Sequence, residues 1–248
     1  MHSLVVIADI GVNFNGDLNL AHELIRQASI AGATYAKFQL YDPEALFGRG
    51  CKYENLTILD QIANTKLSRD DVSRLKRWCD EEDIKFCASA FDEDRLSWLE
   101  AIGVDMHKIA SISVEDKVYC DRVLSLRKPT LISLGKIHDP GHTQKPYDKY
   151  KNGKYLFCIS QYPTELDALT KWFPNDFCAY GFIGISDHSL GIGSSLVAIG
   201  RKACVVEKHL TLSRALPGPD HIASITPDEL AELCRIGRQM FRVSVRTG

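Results

Sequence analysis

Eight short apolar runs, most of them separated by amphipathic stretches, constrain the fold of this chain more than any other feature. They are LVVIAD (4–9), YAKFQL (35–40), KFCASA (85–90), MHKIAS (106–111), TLISLG (130–135), YLFCIS (155–160), FIGIS (182–186) and ACVVEK (203–208). Most are apolar throughout rather than alternating, as in strands covered on both faces, and parallel sheets are covered on both faces. Between them, residues 17–31 place Leu18, Leu20, Ala21, Leu24, Ile25 and Ala28 on one helical face. Residues 69–82, 92–102, 114–126, 164–174 and 189–202 follow the same scheme. Ser68 opens one helix as an N-cap, and Thr226-Pro227-Asp228-Glu229 opens the last, with acidic residues near the positive end of the helix dipole. Gly32, Gly103 and Gly153 stop segments ahead of the next strand.

Eight βα units in 248 residues predict an α/β fold, a single TIM (β/α)8 barrel spanning 1–248, in preference to an open doubly wound sheet. Two stretches break the pattern. Residues 41–67 form a long insertion, with a short helix expected near LTILDQIA. Residues 137–154 hold two Pro and two Gly without apolar periodicity, so helix 5 is expected to be degenerate or missing.

A net charge of −2 argues against a nucleic-acid or membrane-surface partner recruited by bulk charge. No apolar run approaches the roughly 20 residues of a membrane span, and the N-terminus lacks the pattern of a signal peptide. None of the 8 cysteines forms a C-x-x-C pair. Cys87, Cys158 and Cys204 lie in apolar runs, where a thiol packs as a small hydrophobe. These features predict a cytoplasmic protein without disulfides.

In such barrels the active site gathers where strands end and βα loops begin. The strand ends here carry Asp9, Lys37, Ser89, Lys108 with Ser111, Ser133 with Lys136, Ser160 with Tyr162, Ser186 with His188, and His209. Lysines and serines lining one mouth suit a small anion such as a phosphate or carboxylate ester. His188 and His209 end consecutive strands, and neutral imidazoles side by side suit a divalent metal. Taken singly, each has a plainer role: a rim histidine, a salt-bridged lysine, or a loop-capping Asp9. Asp187 is expected to orient a neighbour or cap the following helix. The GIGSS stretch could set a helix N-terminus near phosphate or simply pack closely.

IADIGVNFNGDLNLAHELIRQASIAGATYAKFQ, FIGISDHSLGI, VVEKHLTLSR and LPGPDHIASITPDEL together resemble the N-acetylneuraminate (sialic acid) synthases along nearly the whole chain. The resemblance implies a TIM barrel that condenses phosphoenolpyruvate with an amino-sugar aldehyde, releasing phosphate and a 2-keto sugar acid. It implies Mn2+, or a similar ion such as Mg2+ or Co2+, on His188 and His209. Lys37, Ser89, Lys108, Ser111, Ser133 and Ser186 fall where the family grips phosphoenolpyruvate, and so does Ser160, usually Asn. Tyr162 and Asp220 match sugar contacts, and Asp9 stands where the family has Glu. The implied partners are thus phosphoenolpyruvate and an aldose, with a homodimer as an open assembly state.

Three departures are visible. Phe14 replaces the usual His in Val12-Asn13-Phe14-Asn15-Gly16, Ser113 replaces a sugar-binding Glu (with Glu115 two residues on), and the chain is expected to lack the family's C-terminal antifreeze-like domain. They lead to the expectation of retained chemistry with an altered acceptor. Two alternatives stay open: a lyase or aldolase acting on a phosphorylated sugar, with Lys108 as Schiff-base nucleophile, and a non-catalytic sugar-binding barrel.

Overall fold

A computed structural model describes residues 3–47, 62, 64–135, 150 and 152–246. Eight parallel strands close into a barrel in sequence order: β1 (Val5–Gly11), β2 (Tyr35–Leu40), β3 (Lys85–Ala90), β4 (His107–Ile109), β5 (Thr130–Ser133), β6 (Lys154–Cys158), β7 (Phe182–Asp187) and β8 (Val205–His209). Closure comes from β1 pairing with β8, in register from Val5↔Val205 to Asp9↔His209. Each apolar run of the sequence therefore forms a strand, with ends shifted by up to two residues. The helices are α1 (Leu18–Ile30), α2 (Pro43–Phe47), α3 (Arg69–Glu81), α4 (Glu93–Ala101), α5 (Lys117–Ser125), α6 (Leu166–Trp172), α7 (Gly193–Gly200) and α8 (Pro227–Arg246). α2 is a short helix the sequence pattern did not announce. The helix expected near LTILDQIA, Lys136 and nearly all of the segment for helix 5 lie outside the described residues.

Local chemistry explains the boundaries. Asp17 caps α1 by accepting from the Asn19 and Leu20 amides, and Ser68 with Asp71 forms a reciprocal capping box on α3. At the start of α8 the Glu229 carboxylate accepts from the Thr226 amide at 2.8 Å. α1 buries Ala21, Leu24, Ile25 and Ala28, the face the periodicity picks out. It ends at Gly32, whose φ of +86° an L side chain rarely adopts.

The strands separate two cores. Outward residues such as Val6, Ala8, Phe38, Phe86 and Val206 pack under the helices in the larger one. Inward residues Ile7, Tyr35, Cys87, Met106, Leu131, Leu156 and Val205 fill the lower barrel. Two residues further along each of these strands, or on the turn beyond, the inward positions become polar. That switch sets the site at the C-terminal end of the barrel.

One polar cluster belongs to the outer layer. The buried carboxylate of Asp187 accepts from the Ser189 amide (2.9 Å) and from the hydroxyls of Ser189 (2.7 Å), Ser194 (2.6 Å) and Ser195 (2.6 Å). The Lys208 ammonium lies 3.2 Å away and also donates to the Ser189 carbonyl. Asp187 thus anchors the start of α7, and the GIGSS serines are spent on it rather than on a phosphate. Burial opposes the Asp187 anion, but Lys208 and the serines outweigh it and hold its pKa below the usual value.

Asp187→Ala strands Lys208 as a buried, uncompensated charge. It should lower the unfolding free energy by roughly 3–5 kcal/mol, and Asp187→Ala/Lys208→Met should recover part of that loss. Urea unfolding at neutral pH measures both. A change within error for the single variant would show that the cluster is not structural.

Candidate active site

Parity along the strands brings the predicted residues together. Asp9, Lys37, Ser89, Lys108, Ser133, Ser186 and His209 lie on the inward face of their strands, while Ser111, Ser160, Tyr162 and His188 come from the turns that follow. All of them line one cavity of about 380 Å³. Asp220 is outside that wall, but its carboxylate reaches to 3.7 Å from His209 Nδ1. A larger cavity of about 720 Å³ lies outside the barrel between α6 and α7, among Leu166, Leu169, Phe173 and Val197. It contains none of the predicted residues, so volume alone does not locate the chemistry.

The cavity buries opposite charges side by side. Lys37 donates to Asp9 Oδ2 at 2.6 Å, and both side chains are 3% exposed. Lys108 donates to Ser133 Oγ at 2.8 Å and lies 3.5 Å from Glu207 Oε1, which also accepts from Ser186 at 2.8 Å. Burial works against the Lys37 ammonium, but Asp9 and Glu207 overcome it and raise its pKa above the ordinary lysine value. Burial likewise works against the Glu207 anion, but Lys108 and Lys37 overcome it and lower its pKa.

The imidazoles stand in the same cavity, with ring centroids 5.5 Å apart. His188 Nδ1 donates to the Ile159 carbonyl at 2.9 Å. That bond fixes the tautomer and leaves the lone pair on Nε2. Burial, and then the proximity of His209, lower the His188 pKa to about 4, so the ring is neutral at physiological pH. Tyr162 packs on His188 with ring centroids 4.1 Å apart and planes tilted by 33°, and meets His209 edge-on at 6.0 Å, while remaining 47% exposed. His209 Nε2 lies 3.6 Å from Asp9 Oδ2.

Among the described residues, no group of three or more His, Cys, Asp or Glu side chains closes into a metal cage. The donor set nevertheless fits an ion with open positions. Asp9 Oδ1 and Glu207 Oε2 are buried without a hydrogen-bond partner. Buried polar atoms of this kind call for a further partner.

Sequence reading missed Glu207 and Gln39, both in the cavity wall. Each has a legible signal, since Glu207 precedes His209 by two residues and Gln39 follows Lys37 by two, the spacing that keeps side chains on one face of a strand. Cys158 also lines the cavity rather than packing outside it, with Sγ 3.8 Å from His188 Nδ1. Conversely, Phe14 is buried against Phe38 (centroids 6.1 Å apart) in the outer core, and neither Phe14 nor Ser113 lines the cavity. These two departures therefore leave the cavity wall itself unaltered.

The buried charges set an acid limb. Because its folded pKa is lowered, Glu207 adds stability that is present above its unfolded value near 4.5 and is lost as pH falls through the folded one, about 2. Glu207→Gln should be less stable than the parent at pH 7, and the difference should shrink between about pH 5 and 2. Denaturant titrations across that range check it, and parallel curves for the two proteins would refute it.

Comparison with known proteins agrees with this geometry. The family described as the NeuB family matches residues 24–246. An N,N'-diacetyllegionaminic acid synthase of Legionella pneumophila is 32% identical over 92% of this chain and 69% of its own length. The human N-acetylneuraminate-9-phosphate synthase is also 32% identical, over 97% of this chain and 71% of its own. A crystal structure of the N-acetylneuraminic acid synthetase of Leptospira borgpetersenii superposes with a TM-score of 0.82 at 28% identity, covering 98% of this chain and 85% of that one. Barrel closure, the residues gathered at its mouth and these matches together place the chain in the NeuB family of sialic acid synthase-like proteins.

Proposed function

We propose that this chain joins phosphoenolpyruvate to the aldehyde carbon of a sugar, giving a 2-keto-3-deoxy sugar acid and phosphate. One arrangement carries the reading: two buried lysines, a set of serines and two imidazoles line the same cavity. Lys37 and Lys108 hold the phosphate and carboxylate as fixed charges. Ser89, Ser111, Ser133, Ser160 and Ser186 donate to the remaining oxygens. Tyr162 and Asp220 contact the sugar, an N-acetylmannosamine-like aldose or a different one.

In the reaction, C3 of the enol forms the new bond to the aldehyde carbon, whose oxygen takes up a proton. Water adds at C2 and gives up one proton, the C2–O bond to phosphate breaks with its electron pair leaving on phosphate, and the C2 hydroxyl passes its remaining proton to the phosphate as it becomes the ketone. Asp9, with one buried oxygen unpartnered, is placed to receive the water's proton. His188 and His209 would hold a divalent cation, Mn2+ first and Mg2+ or Co2+ as alternatives. When bound, it supplies Lewis acidity toward the aldehyde. The lysines act as charges rather than nucleophiles: the raised pKa of Lys37 keeps it an ammonium, and Lys108 is engaged by Ser133 and Glu207. That speaks against a Schiff-base aldolase, which needs a free amine.

Incubating the chain with phosphoenolpyruvate, Mn2+ and a panel of aldoses should release phosphate with at least one acceptor. Lys37→Met should cut that release on the order of 10²-fold or more. Absence of release across a broad panel would overturn the reading, as would an active Lys37→Met enzyme.

A Cβ at Gly135 would lie 2.4 Å from Ser160 Oγ, 2.8 Å from Cys158 Sγ and 3.1 Å from Ser111 Oγ. Gly135→Ala should therefore raise the phosphoenolpyruvate KM by at least about tenfold, through displacement of the serines of the anion cradle. Steady-state kinetics test it, and an unchanged KM would remove Ser111 and Ser160 from the phosphoenolpyruvate site.

A further inference from the structure

Two motifs have so far found no part in the chemistry beyond Asp220: the Asn13–Gly16 turn after β1 and the Pro217–His221 segment after β8. They meet in space although about 200 residues separate them. The His221 ring is 1% exposed. Its Nδ1 shares a 2.7 Å hydrogen bond with the Thr211 hydroxyl, and its Nε2 lies 3.3 Å from Asn15 Oδ1. Gly218, at φ +147°, lies against the ring so closely that an added Cβ would come within 2.7 Å of His221 Cδ2. Beside it, Asn13 Nδ2 donates to the Leu210 carbonyl (2.9 Å) and to Ser224 Oγ (2.8 Å), and Ser224 donates to the Asp220 carbonyl (2.7 Å).

Asp220 is thus fixed from two sides, by Ser224 on its own carbonyl and by the tethered ring of the next residue. Its carboxylate faces His209 Nδ1 at 3.7 Å, while Asp9 Oδ2 faces His209 Nε2 at 3.6 Å. A neutral imidazole has one N–H, so it can donate to only one of these carboxylates. The carboxylate that receives it decides which nitrogen keeps the lone pair.

We propose that His221, together with Asn13, Asn15 and Ser224, is a positioning unit that holds Asp220 on Nδ1 of His209 and so presents the Nε2 lone pair to the cavity. His221 does not touch substrate and acts through Asp220. The proposal rests on His209 being a working residue of the synthase site, and it assigns the two loop motifs one joint task. A hydrogen-bond tie serving stability alone would leave the His209 tautomer indifferent to its removal.

The test uses the full chain with 15N-labelled histidine, at alkaline pH and without added metal. Long-range 15N–1H correlation reads the His209 tautomer, with the signals assigned by His209→Gln. The parent should show the Nδ1–H form. Asp220→Asn, His221→Ala and the milder Ser224→Ala should each shift population toward Nε2–H. In kinetics with an accepted aldose, His221→Ala and Ser224→Ala should raise the acceptor KM several-fold and leave the phosphoenolpyruvate KM within about twofold. His221→Gln, which keeps a hydrogen-bonding group for Asn15, should restore part of the loss. Should His221→Ala fail to fold, Ser224→Ala, which removes a single hydroxyl, decides. An Nε2–H tautomer in the parent overturns the proposal, as does an unchanged tautomer in folded variants or an equal rise of both KM values. The tautomer reading needs no turnover, so it stands apart from failure of the proposed reaction.

Discussion

Two ammonium groups and two carboxylates share the inside of a closed sheet, and the site depends on their mutual neutralisation. A lone buried charge of this kind costs several kcal/mol even after relaxation. Asp9 with Lys37, and Glu207 with Lys108, hold one another in place. The barrel tolerates them because the layer beneath is aliphatic, aromatic and thiol, and fills its own space. The interior is therefore divided along its axis. The lower part supplies cohesion, and the upper part gathers the charged groups at the mouth.

Much of this division is legible in the sequence. Fully apolar runs announce strands covered on both faces, and a run ending in Lys or His announces the polar mouth. Where the reading fell short, the causes are specific. Glu207 sits inside a motif whose His209 draws attention, and only the two-residue spacing places both on one face. Cys158 reads as packing because a thiol in an apolar run usually packs, yet its parity with Ser160 turns it into the cavity. Phe14 reads as an altered sugar contact by alignment, but the chain turns after Gly11 and carries the ring into the outer core against Phe38. Asp220 lies on a loop without periodicity, so only its motif points to it.

The same geometry explains why family membership leaves the acceptor undetermined. Two relatives equally identical to this chain bear the names of different products, a diacetyllegionaminic acid and an N-acetylneuraminate 9-phosphate. The lysines, serines and histidines come from strands or the residues just beyond them. Tyr162 and Asp220 come from loops, and Leu46 from the short helix α2. Loops vary at small cost to the barrel, whereas a change of parity in a strand would expose a buried charge. Chemistry carried by strands and specificity carried by loops is the division this fold favours.

On the proposed function, the anion cradle and the imidazole pair serve one reaction centre. A crystal of the chain soaked with Mn2+ and phosphoenolpyruvate tests this most directly, with data collected at the manganese absorption edge. One anomalous peak is expected within coordination distance of both His188 and His209, with phosphoenolpyruvate oxygens on Lys37 and Lys108 in the same cavity. Manganese bound away from the two imidazoles, or phosphoenolpyruvate bound away from the two lysines, would contradict it.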